Sequence, residues 1–242
     1  FNQIKGELIG FLRGYTNAAD FRKLGCTIWD ANANENKTWL NNRWRRGKDD
    51  LGPIYGAQWR RFSNGASEID QLAVAIEKLY MHPTDRRNIV TAWNPAVLQE
   101  MALPPCHLLW QLIADPYTSP GADGPGVLHM TVYMRSCDMF LGVPFNLASY
   151  ALLLEIIAAL TGWEAGTLTM FLADAHIYVN HLEQVQEQLS REVRVLPSLN
   201  VAFGGPQPNV TSALRCLEAI DPRDIFVSQY DPHPAIKADM AV

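Results

Sequence analysis

The feature that most constrains the fold is an apolar run in the second half of the chain, SYALLLEIIAALTG, at residues 149–162. Apolar side chains occupy nearly every face of a helix drawn through it, instead of the single stripe of a surface helix. Such a helix, about 14 residues long, is stable in water only when other elements surround it. We therefore predict a buried central helix around which the rest of the chain packs.

Strand-like segments lie on both sides of this run. Residues 108–114 and 127–134 are predicted strands, since LHMTVYM in the second is rich in residues that favour strands and alternates as a half-buried strand does. GTLTMFLADAHIYVN follows the central helix as a further strand. Because strands and helices are interleaved without a regular βαβ repeat, we predict an α+β fold with one large sheet, in a single domain over residues 1–242.

Apolar residues at helical spacing predict further helices at residues 4–12, 18–24, 69–79 and 181–192. CTIW, at residues 26–29, is typical of a brief strand. Residues 32–50 are rich in asparagine and basic residues, which favours a surface excursion, and residues 115–126 and 197–209 are predicted loops. The chain starts at Phe1 without a capping residue or methionine, so we expect that a natural N-terminal segment precedes it.

Composition excludes several classes of protein. A net charge of −5 argues against a general nucleic-acid binder. The four cysteines form no CxxC pair, which argues against a zinc site and suits a reducing cytoplasm. No signal peptide and no apolar run near 20 residues is evident, so we expect a soluble, cytoplasmic protein without a membrane segment. No GxSxG is present, which disfavours a serine hydrolase.

The candidate nucleophile is Cys106, within MALPPCHLLW. Pro104 and Pro105 keep the chain out of a helix interior, so the cysteine is expected at the start or edge of a strand. A catalytic cysteine needs nearby positive charge to form its thiolate, and an isolated cysteine in apolar surroundings is more often a packing residue. Glu7 beside the first helical stripe is likewise either a rim residue or a buried acid.

Four motifs decide between these alternatives: PPCHLLWQ, YMRSCDMFLGVPFNLASYALL, ADAHIYVNH and YDPHPAIKADMAV. Together they resemble the thymidylate synthase family. The resemblance implies an α+β fold with a large mixed β-sheet flanked by helices, one sheet face forming a two-fold dimer interface. It also implies reductive methylation of deoxyuridylate (dUMP) by 5,10-methylenetetrahydrofolate, a co-substrate, without a metal or nucleic acid. Gly10 departs from the family, which has a bulky aromatic residue there.

The resemblance assigns catalytic roles. Cys106 would attack carbon 6 of uracil, and Arg135 would lower the pKa of its thiol. Asn146 would hydrogen-bond the uracil edge, an assignment that favours uracil over cytosine. Glu7, with Tyr55, would move protons. Asp138 completes the implied catalytic set.

The same resemblance assigns the two substrates to their side chains. The implied dUMP-binding residues are Arg86, Arg87, Arg135, Ser136, Asn146, His176 and Tyr178. His176 and Tyr178, two apart, are expected on one face of a strand and would bind the sugar hydroxyl. Arg86 and Arg87 would reach the phosphate of the neighbouring subunit in a homodimer. The implied folate-binding residues are Trp29, Asp138, Gly142 and Val242, with residues 240–242 closing over the folate.

Two other functions remain open from the sequence. A deoxyuridylate hydroxymethylase would use the same thiolate and folate but deliver water in place of hydride; Trp29 and the MAV ending favour hydride, since both help to exclude water. A non-catalytic nucleotide- or RNA-binding relative would be expected to have lost part of the constellation, yet Glu7, Cys106 and Arg135 are all present.

Overall fold

The computed structural model describes residues 1–117, 125–202 and 204–239. Its helices are α1 (Asn2–Leu12), α2 (Ala18–Lys23), α3 (Asp30–Asn34), α4 (Lys37–Leu40), α5 (Tyr55–Arg60), α6 (Gln71–Met81), α7 (Gly142–Thr161), α8 (Leu182–Ser190) and α9 (Val210–Ala219). Its strands are β1 (Phe62–Ser63), β2 (Glu68–Ile69), β3 (Ile89–Thr91), β4 (His107–Asp115), β5 (Val127–Asp138), β6 (Glu164–His176), β7 (Ser198–Val201) and β8 (Ile225–Ser228).

The main sheet of the described residues has the strand order β3-β4-β5-β6. β3, β4 and β5 pair antiparallel, whereas β6 lies parallel to β5 after the crossover through α7. The sheet is therefore mixed, and the predicted α+β class with a mixed sheet flanked by helices is confirmed. The two predicted strands before the central helix are both present.

The two faces of this sheet have different surroundings. Alternate residues of β4 and β5, such as Trp110 and Val132, are fully buried against the helices. On the opposite face Ile113, Tyr133 and Phe171 stay 43%, 42% and 56% exposed, and the last two are cross-strand partners. An exposed apolar row on a sheet face is a feature of interaction surfaces.

The central helix α7 is buried as predicted, but it begins earlier than expected. Residues 142–148, which precede the apolar run, form its first turns, and Gly162 ends it with a left-handed φ of 81°. The helix has 20 residues, and an 18-residue window of it has a mean hydropathy of 1.8, so it is long and apolar enough to cross a membrane by length and composition alone; half of that window is buried inside the structure. The predicted length of about 14 residues was too short, because the helix also includes the less apolar turns that contain Pro144 and Asn146. The helix packs against α1, β5 and β6, as a core helix does.

Residues 32–50 are not the surface excursion that their polar composition indicated. Trp39 of α4 is 1% exposed, and its indole nitrogen donates to the carbonyl oxygen of Asp50 at 2.7 Å. Ala33 of α3 is also buried. Two buried side chains at helical positions thus fix a segment whose average composition is polar.

Other local predictions were also wrong. CTIW forms a turn leading into α3, not a strand, and residues 197–209 contain β7. The helix predicted at 69–79 begins at Gln71, because Ile69 pairs in β2 and is 50% exposed. Helix α9 was not predicted. One continuous cluster of buried side chains reaches from Leu8 to Ile225, which is consistent with the predicted single domain.

Gly10 has a packing reason in this chain. A Cβ atom built on Gly10 would lie 2.3 Å from the ring of Phe21, which is fully buried on α2. The aromatic ring that fills this part of the core therefore comes from the second helix. A side chain at position 10 would displace it.

Candidate active site

Cys106 follows the two prolines and lies immediately before β4, an inner strand of the main sheet. Its backbone N–H donates to the Tyr55 hydroxyl at 2.7 Å, and its carbonyl accepts from the backbone N–H of Arg135 at 2.8 Å. The cysteine is thus fixed on both sides by β5 and by α5. The expected position at the start of a strand is confirmed.

The Arg135 guanidinium is aimed at the cysteine by its own hydrogen bonds. Nε donates to the carbonyl of Pro105 at 2.8 Å, and Nη2 donates to the carbonyl of Pro104 at 3.1 Å. Nη2 also lies 3.8 Å from the Cys106 sulfur. Burial raises the pKa of the Cys106 thiol above its ordinary value, while the Arg135 charge and the Tyr55 hydroxyl both act to lower it. The predicted effect of Arg135 has the expected sign, but burial outweighs it.

His107 and Tyr150 belong to this site although sequence reasoning gave them no role. The His107 ring stacks on Tyr55 at 4.1 Å between centroids, and its Nδ1 is 2.6 Å from the Tyr150 hydroxyl. Burial lowers the pKa of His107 to about 3, so its imidazole is neutral at physiological pH. Its position next to the cysteine in PPCHLLWQ was the signal that could have identified it.

Glu7 is a buried acid and not a rim residue. It is 9% exposed on α1, and its Oε1 accepts a hydrogen bond from the Trp29 indole at 3.0 Å. Burial raises the pKa of Glu7 from 4.5 to about 7, and the Trp29 hydrogen bond opposes this rise. A carboxyl group with this pKa can both give and take a proton near neutral pH. Trp29 also contacts Tyr55, with 5.9 Å between ring centroids.

Asp138, Gly142 and Asn146 come together where β5 turns into α7. Asp138 Oδ1 accepts the backbone N–H groups of Phe140 and Leu141 at 3.0 and 3.3 Å, which fixes the turn. A Cβ atom at position 142 would lie 3.4 Å from the Asp138 Cβ and 3.7 Å from the Asn146 Oδ1. The glycine therefore keeps a space open between an acid and an amide.

His176 and Tyr178 lie at the end of β6, and their rings make an edge contact with centroids 5.0 Å apart. His176 is the last residue of the strand and pairs with Asp138, so β5 and β6 bring the predicted sugar and folate residues side by side. Ser136 pairs with Asp174 two residues earlier. Tyr178 lies beyond the strand, so the reasoning from strand alternation was wrong although the two rings are adjacent.

Arg86 and Arg87 do not join this cluster within the chain. Both are exposed before β3, where Arg87 pairs with Asp85 at 3.1 Å. Residues 81–87 line a cavity of about 740 Å³. Val242 lies outside the described residues, as do Met240 and Ala241. Within residues 1–117, 125–202 and 204–239 no group of three His, Cys, Asp or Glu side chains is arranged to hold a metal ion.

Comparisons with known proteins agree with the geometry. A family model described as thymidylate synthase matches residues 1–242. A thymidylate synthase of Pseudomonas syringae pv. tomato is 41% identical, with the alignment covering 100% of this chain and 84% of the relative. Thymidylate synthases of Bordetella parapertussis and Pseudomonas putida are each 39% identical over the same shares.

Proposed function

The chain belongs to the thymidylate synthase family, and on that premise we propose that it converts dUMP to dTMP with 5,10-methylenetetrahydrofolate and releases dihydrofolate. The observation that carries the proposal is the placement of Cys106, with a guanidinium 3.8 Å from its sulfur and Tyr55 on its backbone. A cysteine held beside a cation is the arrangement that a thiolate nucleophile needs.

The first step is attack of the Cys106 thiolate on carbon 6 of uracil. The new carbon–sulfur bond pushes an electron pair toward carbon 5 and O4. Arg135 favours the thiolate before the attack, and the Asn146 amide, on the first turns of α7, stabilises the charge that develops on the uracil edge. The neutral, Tyr55-stacked imidazole of His107 adds no competing positive charge beside Arg135.

Glu7 serves the proton transfers that follow. With a pKa of about 7 it is present in both protonation states near neutral pH, the condition under which one carboxyl group can accept and return a proton. The Trp29 indole holds Oε1, which leaves the second oxygen for the substrate or an ordered water.

The folate co-substrate supplies the one-carbon unit and the hydride. A Cβ atom at position 142 would stand in contact with both Asp138 and Asn146, so the glycine leaves the approach to these two polar groups clear for the folate ring. Asp138 and Trp29 are the proposed folate contacts, with Val242 at the end of the chain. The Asp138 carboxylate has Oδ2 free of the turn and available to the ring.

The nucleotide is held by Ser136, His176 and Tyr178 and by Arg135. We assign the remaining phosphate contacts to Arg86 and Arg87 of the partner subunit, because both side chains are exposed within one chain and neither is among the residues that contact Cys106. The exposed row Ile113, Tyr133 and Phe171 is the proposed homodimer face. The free cysteines favour a cytoplasmic location.

The proposal is tested by trapping. The protein is incubated with 5-fluoro-dUMP and methylenetetrahydrofolate, and its intact mass is measured under denaturing conditions. We expect a mass gain equal to nucleotide plus folate, located on Cys106 by peptide mapping and absent from Cys106→Ser. The matched control Cys216→Ser, at another partly buried free cysteine, should form the adduct normally. No adduct on the wild-type protein would overturn the proposal in favour of a non-catalytic binding protein.

A further inference from the structure

A buried histidine outside the predicted set contacts the end of the described chain. His181 closes the 3₁₀ turn Val179–His181 between β6 and α8 and is fully buried. Its Nε2 lies 2.7 Å from the backbone carbonyl oxygen of Asp239. The amide of Asn180 reaches the same oxygen at 3.5 Å. The position of Asp239 is therefore set mainly by one imidazole.

The other ring nitrogen of His181 faces the Asp138 carboxylate. Nδ1 is buried without a hydrogen-bond partner and lies 4.0 Å from Asp138 Oδ1. Because a carbonyl oxygen only accepts, Nε2 must carry a proton. An imidazole with that single proton presents a lone pair to a carboxylate, and two acceptors repel each other. A proton on Nδ1, or a donor hydrogen placed between the two groups, turns this contact into an attraction.

The faces of the His181 ring touch both substrate regions. Tyr178 packs edge-on against it with 5.8 Å between centroids, and Phe140, in the turn that Asp138 caps, lies 5.4 Å away on centroids. The ring is thus in contact with the proposed nucleotide site, with the proposed folate site and with the C-terminal segment.

We propose that His181 is a positioning residue that ties the C-terminal segment at Asp239 to the Asp138 turn, so that the folate site and the end of the chain are ordered together. This inference rests on the proposed function only for its kinetic consequence. It assigns His181 no contact with the reacting atoms.

Three variants separate the two ring nitrogens. In His181→Gln the side-chain amide nitrogen can take the place of Nε2 and donate to the Asp239 carbonyl. In His181→Asn the shorter amide reaches only toward Asp138, as Nδ1 does. His181→Phe fills the same volume with neither group. We expect His181→Phe and His181→Asn to raise the KM for methylenetetrahydrofolate about tenfold, the loss of one buried hydrogen bond, and His181→Gln to recover most of it. The KM for dUMP should change less than twofold.

A second measurement does not depend on turnover. Hydrogen exchange of the peptide that ends at Asp239, in the substrate-free protein, should speed up about tenfold in His181→Asn and stay near wild type in His181→Gln. His233→Phe is the matched control, because His233 Nε2 also lies near a backbone carbonyl, that of Glu192 at 2.9 Å, on the same C-terminal segment. It should leave the KM for methylenetetrahydrofolate unchanged.

Equal hydrogen exchange of the Asp239 peptide in His181→Gln and His181→Asn would overturn the proposal. So would equal rises in the KM values for methylenetetrahydrofolate and dUMP together with a lowered Tm, which would indicate a general loss of stability. Should His181→Phe not fold, the Gln and Asn pair decides alone. A wild-type protein without turnover would count against the proposed function, while the exchange of the Asp239 peptide would still decide whether His181 positions that segment.

Discussion

The Arg135 guanidinium lies 3.8 Å from the sulfur of Cys106 and is held there by the carbonyl groups of the two prolines that precede the cysteine. Each proline thus has two functions. Its ring fixes the backbone ahead of the nucleophile, and its carbonyl orients the cation that favours the thiolate. The local sequence PPC and Arg135, about thirty positions later on β5, therefore form one structural unit. Neither segment considered alone indicates this, because strand pairing brings them together.

Arg135 controls the reactivity of the thiol. Because burial already raises the pKa of Cys106, removing the nearby charge in Arg135→Ala should raise that pKa further. We expect alkylation of Cys106 by iodoacetamide near neutral pH to slow about tenfold, and to recover as the pH is increased. The matched variant Arg135→Lys keeps the positive charge, and its rate of alkylation should lie between those of wild type and Arg135→Ala. An unchanged pH profile in Arg135→Ala would show that Arg135 does not act on the thiol.

Glu7 makes the stability of the fold depend on pH. Its pKa is 4.5 when unperturbed and about 7 in the folded protein. Between these values the Glu7 carboxyl of the native state holds a proton that the unfolded chain has released, so the contribution of Glu7 to the free energy of unfolding falls as the pH rises, by about 3 kcal/mol in total. Glu7→Gln has no such proton to lose and keeps an acceptor for Trp29. Its Tm should match wild type near pH 4 and exceed it near pH 8, while kcat falls about 100-fold or more.

His107 has the opposite effect, because its pKa is lowered from 6.5 to about 3 in the folded protein and its contribution to stability therefore rises with pH over that interval. The sign is accordingly measured from the difference between wild type and Glu7→Gln, which isolates the carboxyl group. Equal pH dependence of unfolding in the two proteins would contradict it.

Much of the architecture could be predicted from the sequence because periodicity reports directly on burial. The apolar run of α7 and the alternation of β5 each indicated an element that the structure contains. Residues 32–50 could not be predicted in the same way, because the information was in the position of one side chain, Trp39. Averaged composition does not distinguish a tryptophan that is 1% exposed from Trp44, which is 43% exposed.

The candidate site was likewise predicted only in part. The resemblance named residues that the structure brings together, such as Asp138, Gly142 and Asn146. It did not name His107 or His181, whose environments depend on contacts between distant segments. The burial of Glu7 was one of two open alternatives, since helical spacing placed it at the edge of the apolar stripe and only packing by Trp29 decided the matter.

Trp39 and Trp44 provide a matched test of how residues 32–50 are held against the core. Trp39→Ala removes a fully buried ring and should lower the free energy of unfolding by about 3–5 kcal/mol. Trp44→Ala removes an exposed ring covered by Arg43 at 4.9 Å and should change it by less than about 1 kcal/mol. Denaturant unfolding measures both. Equal losses would mean that residues 32–50 are not held by Trp39.

Mixed dimers test whether the phosphate site is shared. Cys106→Ser and a variant carrying Arg86→Ala with Arg87→Ala should each be inactive alone. Unfolded together and refolded as a mixture, they should regain about a quarter of wild-type activity, because half of the dimers are mixed and each mixed dimer has one complete site. No recovery would place Arg86 and Arg87 at the site of their own chain, or outside the site altogether.

The most direct test of the account is turnover with dUMP and 5,10-methylenetetrahydrofolate, following dihydrofolate formation by absorbance and the nucleotide product by mass. We predict dihydrofolate together with a methyl mass gain on the nucleotide, both abolished in Cys106→Ser. A hydroxymethyl mass gain without dihydrofolate would contradict it and would mean that water, not hydride, completes the reaction at the Cys106 adduct.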